Sequence, residues 1–351
     1  MAGISGNEIK FKKNADLTAF NTLGVKATAD KLVEVESVED LISLHKSGFF
    51  KTNEPFILGG GSNVLLLGNL ANPVLKISIP GIEVKKEDRN HVLVEVGAGV
   101  NWHSFVEYCV INNYGGVENL ALIPGTTGAA PIQNIGAYGV EQDQVFDSLE
   151  LFDIRSGKVK TYLKDECEFG YRDSIFKRDL KGKVIVTSVT LRLTKSHHKI
   201  NTEYRALSEF LREKQIFSPA IKDIFDAVVA IRKSKLPDPS LLGNAGSFFK
   251  NPVVENSVAE QLKNEYADMP AYEVDKSHKK IPAGWLIEKA GWKGKQFGNV
   301  GTYRNQALVI VNHGGATGQE IYDHAIKIKE SVSEIFGIDL VPEVNIFGNE
   351  A

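Results

Sequence analysis

Residues 123–139 read IPGTTGAAPIQNIGAYG, and more than half of them are glycine, alanine or proline. So few bulky side chains make a weak core, and glycine and proline together make a poor helix. A loop this long inside a folded chain usually carries function. Its own N–H and C=O groups can wrap a flat, polar, phosphate-bearing ligand, and Gln133, Asn134 and Tyr138 add uncharged side-chain hydrogen bonds. The bland alternative is an inert connection between domains.

Two shorter glycine loops precede it. Gly59-Gly60-Gly61-Ser62-Asn63 follows a strand, where glycines let backbone N–H groups approach an anion. No GK[ST] ending follows, so it is not a P-loop, and Val64 stands where a GxGxxG motif needs its third glycine. Gly97-Ala98-Gly99 fails the same test at Trp102. A Rossmann fold is therefore a poor reading, and a plain tight turn stays open for each loop.

Around these loops the chain alternates between the two periods of regular structure. Strands are expected at LVEVE from Leu32, at PFILGGGSN, at PVLKISI and at HVLVEVGAG, and again around SLELFDI and KVKTYL. KVIVTSVTLRLT has the strict alternation of a half-buried strand. Apolar residues at Trp102, Phe105, Val106, Cys109 and Val110 predict a helix, as do those at Ile321, Ala325, Ile328, Val332 and Ile335. Residues 205–216 and 220–234 also read as helices, and Leu236-Pro237-Asp238-Pro239 is a break. The polar residues 1–17 read as loose or accessory. The class is α+β, with no internal repeat.

Charge narrows the partners. With 351 residues and a net charge of −3, the chain has a sizeable core but no electrostatic case for nucleic acid or an acidic membrane surface. No run of eighteen apolar residues exists, and the N-terminal segment lacks a secretory apolar core, so no membrane association and a cytoplasmic location are expected. Cys109 and Cys167 are the only cysteines and lie in no zinc spacing; no metal is expected.

Then there is GNAGSFFKNP, residues 243–252. It sets the Ser247 hydroxyl between a glycine and two phenylalanines. A buried hydroxyl without a partner costs roughly 1–3 kcal/mol, so the plain reading is a strand-end serine bonded to backbone.

Taken together, NTLG at 21–24, ILGGGSN at 57–63, the 123–139 loop, FGYRDSIFK at 169–177, GNAGSFFKNP and PEVNIFG at 342–348 resemble, in that order, the UDP-N-acetylenolpyruvoylglucosamine reductase family. Each motif alone is weak; six in order are specific, and the resemblance runs from about residue 18 to the end. It implies a bacterial source and an FAD-binding fold of the vanillyl-alcohol-oxidase (PCMH) type. That fold would form two subdomains, 18–80 and 81–226, after the 1–17 extension, with an α+β substrate domain at 227–351. It also implies non-covalent FAD, NADPH as reductant, UDP-N-acetylglucosamine enolpyruvate as substrate, a role in peptidoglycan synthesis, and a monomer.

The resemblance assigns residues as well. Gly59, Gly60, Gly61, Ser62, Asn63, Pro124, Gly125, Thr126, Gly128, Ala129, Gln133, Asn134, Gly136 and Ala137 would bind FAD. Tyr138, Tyr204, Lys235 and Asn251 would bind substrate. Ser247 would protonate C2 of the enolpyruvyl group after hydride arrives from flavin N5. Arg172 would fork onto the carboxylate and steady the enolate, and Glu343 would hydrogen-bond that carboxylate. Against these stand an Arg172–Asp173 salt bridge, a capping or surface glutamate at 343, and a solvated helix end at Lys235. Leu67-Gly68-Asn69 and Thr127 depart from the family's usual residues, without touching a catalytic role. An oxidase of the same fold and a non-catalytic nucleotide-sugar binder are the competing functions; the 123–139 loop has no histidine to tether a flavin covalently.

Overall fold

In the computed structural model, which describes residues 10–348, VIVTSVTLRLT forms the strand Val184–Thr194 at the centre of a five-stranded antiparallel sheet. The sheet runs Lys158–Leu163, Phe146–Asp153, Val184–Thr194, His91–Gly97, Ile82–Glu87. Strict alternation is not what the central strand shows. Ile185 to Val189 are all buried, and alternation sets in only beyond them. The reason is that both faces are covered. Ile185 joins Val33, Leu41, Leu75 and Phe152 in one cluster, whereas Val186, Val189 and Leu191 join Trp102, Phe105 and Ile224 in another. A strand buried on both faces reads as a continuous apolar run.

The chain divides into two compact units with interleaved segments. The first holds the described residues through Ala15, Ala29–Gly60 and Ala71–Arg232. Besides the five-stranded sheet it contains a second one, in the order Lys12–Asp16, Thr28–Val35, Val74–Ile77, Phe56–Leu58, whose last three strands are parallel. Part of the polar N-terminal stretch is therefore structured. Lys12–Asp16 buries only Ala15, as suits a charged edge strand; residues 1–9 lie outside the described residues. The helix Val38–Lys46 is started by a Ser37–Asp40 capping box and buries Leu41 and Leu44. Trp102–Ile111 is helical on the expected stripe, with Val110 only half-buried.

The second unit holds Asp16–Thr28, Gly61–Leu70 and the chain from Lys233 onward. Its main sheet runs Gly243–Ser247, Val309–Asn312, Val300–Thr302, Gln296–Phe297, and Val64–Leu66 pairs in parallel with Asn345–Phe347. One apolar cluster unites Leu23, Leu65, Phe248, Phe249, Ile287 and Ile321. The long helix Gly318–Phe336 opens on a Thr317–Glu320 capping box and stops at Gly337 in left-handed conformation. Its buried stripe includes His324 and ends on Phe336; Ile335, expected inside, is 46% exposed. The turn's 3.6-residue period puts 336, not 335, above Val332.

Candidate active site

In the first unit the strand Phe56–Leu58 ends at Gly59-Gly60, and the chain there meets the start of the long loop. A Cβ on Gly60 would lie 2.7 Å from Gly125 Cα, and one on Gly59 would lie 2.8 Å from Thr126 Oγ1. The close approach is between backbones, so no side chain fits at Gly60. Among the described residues, the N–H groups of Gly60, Gly125 and Thr126 donate to no other group. Unpaired amides at adjoining turns form a cradle for an anion, and this is the chemistry a dinucleotide diphosphate needs.

The loop itself is ordered by bonds to its neighbours rather than by a core. Thr127 donates to Val100 O through N–H and hydroxyl, at 2.9 and 3.1 Å, Gly128 N–H donates to Ala98 O, and Ser174 Oγ donates to Ile132 O at 2.6 Å. Two 3-10 turns, Thr127–Ala129 and Pro131–Gln133, lead into the hairpin Gly136–Ala137 and Val140–Glu141. Asn134 is buried and spent internally: its amide donates to Glu141 and to Gly170 O, and its oxygen accepts from Asp143 N–H.

Arg172 sits in a turn closed by paired backbone hydrogen bonds between Gly170 and Asp173, with its own φ at +53°. The Asp173 salt bridge is not formed. Asp173 pairs with Arg178, whereas Arg172 Nη2 donates to Gly136 O at 2.5 Å and its guanidinium lies over the Tyr171 ring. A two-residue turn with a left-handed residue sends adjacent side chains in different directions, which sequence adjacency cannot reveal. Tyr138, with φ at +49°, meets the half-exposed Tyr204 ring edge to face at 5.1 Å. The two tyrosines assigned to substrate are thus neighbours. Burial raises the Tyr138 pKa, Arg232 opposes, and Tyr204 adds to the rise.

Arg232 was not among the expected site residues. It ends the buried stripe Ile221, Ile224, Val228, Ile231 of the helix Ile221–Lys235, and its buried Nε has no hydrogen-bond partner among the described residues. Burial lowers its pKa, Tyr138 opposes, and Arg172 lowers it further. An arginine remains charged even so. The available signal was position: Arg232 follows Val228 by four residues, so the run Arg232-Lys233-Ser234-Lys235 starts on the apolar face.

In the second unit Ser247 closes the strand Gly243–Ser247, where pairing with Val309–Asn312 breaks register between Asn244 and Ser247. Gly246 takes φ at +69° and donates its N–H to Asn244 Oδ1. This bulge turns the strand and lets Phe248 and Phe249 enter the core while Ser247 stays half-buried. The Ser247 hydroxyl has no hydrogen-bond partner among the described residues, so the strand-end serine tied to backbone is not what forms. Glu343 is held beside it in the chain's pairing: its N–H donates to Phe248 O at 2.8 Å, and Lys250 N–H donates to Val341 O. Asn63 Nδ2 donates to Glu343 O at 3.2 Å, and Asn345 donates to Asn63 O through N–H and side chain. The end of the GGGSN loop is thereby fastened to the Glu343 segment. Lys235 is exposed, and Asn251 Oδ1 accepts the Ala283 N–H that opens the helix Ala283–Lys289.

An FAD binding domain model matches residues 29–162, and the model of the UDP-N-acetylenolpyruvoylglucosamine reductase C-terminal domain matches 238–347. A UDP-N-acetylenolpyruvoylglucosamine reductase of Flavobacterium johnsoniae is 47% identical over 96% of this chain and 100% of its own length. The chain belongs to the UDP-N-acetylenolpyruvoylglucosamine reductase family. A member from Amoebophilus asiaticus is 48% identical over 95% of this chain and 98% of its own. The crystal structure of the Thermus caldophilus UDP-N-acetylenolpyruvylglucosamine reductase superposes with a TM-score of 0.65 at 24% identity, covering 97% of this chain and 100% of that one. The expected class, an FAD-binding part with a C-terminal α+β part, agrees with the fold and with both matched domains. Among the described residues, no cluster of His, Cys, Asp and Glu could hold a metal ion, and no helix is long and apolar enough to cross a membrane.

Proposed function

We propose that this reductase converts UDP-N-acetylglucosamine enolpyruvate to UDP-N-acetylmuramate with NADPH, as a monomer in the bacterial cytoplasm. The observation that carries the reading is the Ser247 hydroxyl, unpartnered among the described residues, on a strand whose next residue is bonded to the Glu343 backbone. The unpaired amides of Gly60, Gly125 and Thr126 suit the diphosphate of FAD. FAD held there would supply the hydride chemistry that links NADPH to the terminal carbon of the enolpyruvyl group.

The chain's own groups then manage charge and the proton. Ser247 gives its hydroxyl proton to C2. A serine is too weak an acid for most bases, so this works only toward a carbanion-like centre. Arg172 takes the substrate carboxylate, where enolate charge collects, and its fixed positive charge lowers the cost of that charge. Glu343 hydrogen-bonds the same carboxylate. Tyr138 and Tyr204 contact the sugar nucleotide, and Lys235 its diphosphate. Asn251 would serve through Nδ2, since its oxygen is engaged by Ala283. Residues 18–80 and 81–226 serve the flavin, and 227–351 the substrate.

Anaerobic stopped-flow absorbance tests the proposal. NADPH should bleach the flavin band, and the enolpyruvate should restore it. Recovery only on admission of oxygen would favour an oxidase. A protein purified without flavin that still binds the sugar nucleotide would favour the binder.

A further inference from the structure

The loop that offers Gly125 and Thr126 enters through a strained residue. Leu122 has φ at +59°, and it is the only aliphatic residue with positive φ among the described residues. L side chains avoid that region because Cβ crowds the neighbouring carbonyl, so something must hold it there. Two consecutive side chains in the first turn of the helix Trp102–Ile111 do so. Trp102 Nε1 donates to Leu120 O at 3.0 Å, and Leu122 N–H donates to His103 Nδ1 at 3.1 Å. The far end is tied to the same turn, because Trp102 N–H donates to Gly125 O at 3.0 Å. Residues 120–125 are thus pinned at three points by two adjacent residues.

His103 is itself held. Its ring stacks on Phe225 at 5.6 Å with 12° between planes, and Glu107 Oε1, one turn along the helix, lies 3.7 Å from Nε2. Accepting from Leu122 at Nδ1 requires the ring proton on Nε2, which is the nitrogen that faces the carboxylate.

We propose that His103 is a positioning residue for the cofactor loop: its Nδ1 holds Leu122 in left-handed conformation and so sets the direction in which Gly125 and Thr126 present their N–H groups. The inference rests on the reading of those amides as the flavin cradle. Three substitutions separate its parts. His103→Asn keeps an acceptor near Nδ1, His103→Gln places its amide near Nε2 instead, and His103→Phe keeps only the stacking ring.

Flavin release from the loaded full-length protein is followed by the rise in free-flavin fluorescence, and exchange of the Leu122 amide by hydrogen–deuterium exchange. Loss of one hydrogen bond predicts release about tenfold faster for His103→Phe and His103→Gln, with faster Leu122 exchange. His103→Asn should stay within about threefold of the parent, because its oxygen replaces the acceptor. Release as slow as the parent in both His103→Phe and His103→Gln overturns the proposal. So does equal acceleration in all three variants, since the acceptor kept by His103→Asn would then count for nothing, and so does acceleration in His103→Asn and His103→Gln but not in His103→Phe, which would make the ring's packing on Phe225 the whole effect. If the parent takes up no flavin, it is the cradle reading that fails. Leu122 exchange then decides the clamp alone: faster in His103→Gln upholds it, and unchanged exchange refutes it.

Discussion

Ser247→Ala separates chemistry from structure more cleanly than any other single change. The hydroxyl is half-buried and has no hydrogen-bond partner among the described residues, so removing it leaves no donor or acceptor stranded. The backbone is undisturbed: the bulge is made by Gly246 and the Asn244 side chain. Folding stability should therefore move by no more than about 0.5 kcal/mol, as for a surface substitution away from special features. The chemical cost is another matter. A positioned general acid contributes roughly 10²–10⁴-fold, which is about 3–5 kcal/mol of barrier. The assay is single-turnover stopped-flow at the flavin band, run as two half-reactions. Reduction by NADPH should keep its rate, and reoxidation by the enolpyruvate should slow by at least about a hundredfold. An equal loss in both halves would refute the acid assignment. A marked fall in melting temperature would refute the claim that the hydroxyl is structurally idle.

Other outcomes follow from single contacts. Gly60→Ala sets a methyl 2.7 Å from Gly125 Cα, with backbone on both sides and no flexible side chain to yield; flavin affinity should fall and stability drop by about 1–3 kcal/mol, as isothermal titration and thermal melts would record. Arg232→Met replaces a guanidinium whose Nε is buried and unpaired, so the melting temperature should hold or rise; a large fall would mean the charge is well paired. His324 is buried, bonded to Thr302 Oγ1 and set edge-on to Trp292, and burial, with Lys327 adding, takes its pKa down to about 4. The unfolded chain thus binds this proton more readily than the folded one, so stability should fall as pH drops from about 6.5 towards 4, by on the order of 3 kcal/mol in full. His324→Gln should flatten that slope in melts across the window.

Residue order points to the groups of the candidate site. The glycine loops that meet at Gly60 and Gly125, the serine in GNAGSFFKNP and the glutamate in PEVNIFG stand out in the sequence, because their residue types carry backbone and proton chemistry wherever they fall. What could not be read was how each group is used. Asn134 has the look of a ligand contact, yet its side chain is consumed by Glu141, Gly170 and Asp143. Arg232 has the look of a solvated basic run, yet its Nε is buried. Both outcomes depend on which distant groups arrive beside the side chain.

Residue order sets the kinds of element and their succession, since apolar period 2 or 3.6 acts over a few residues. It also sets where backbone can be bare or turn sharply, since glycine and proline act locally. Packing of the folded chain settles that Val184–Thr194 is covered on both faces, that Arg172 bonds Gly136 instead of Asp173, and that Asn63 holds Glu343 from 280 residues away. The first rests on which apolar faces pack against the strand, and the other two on which of many possible long-range partners satisfies a part-buried polar group. That is a property of the packed chain and not of any stretch of it.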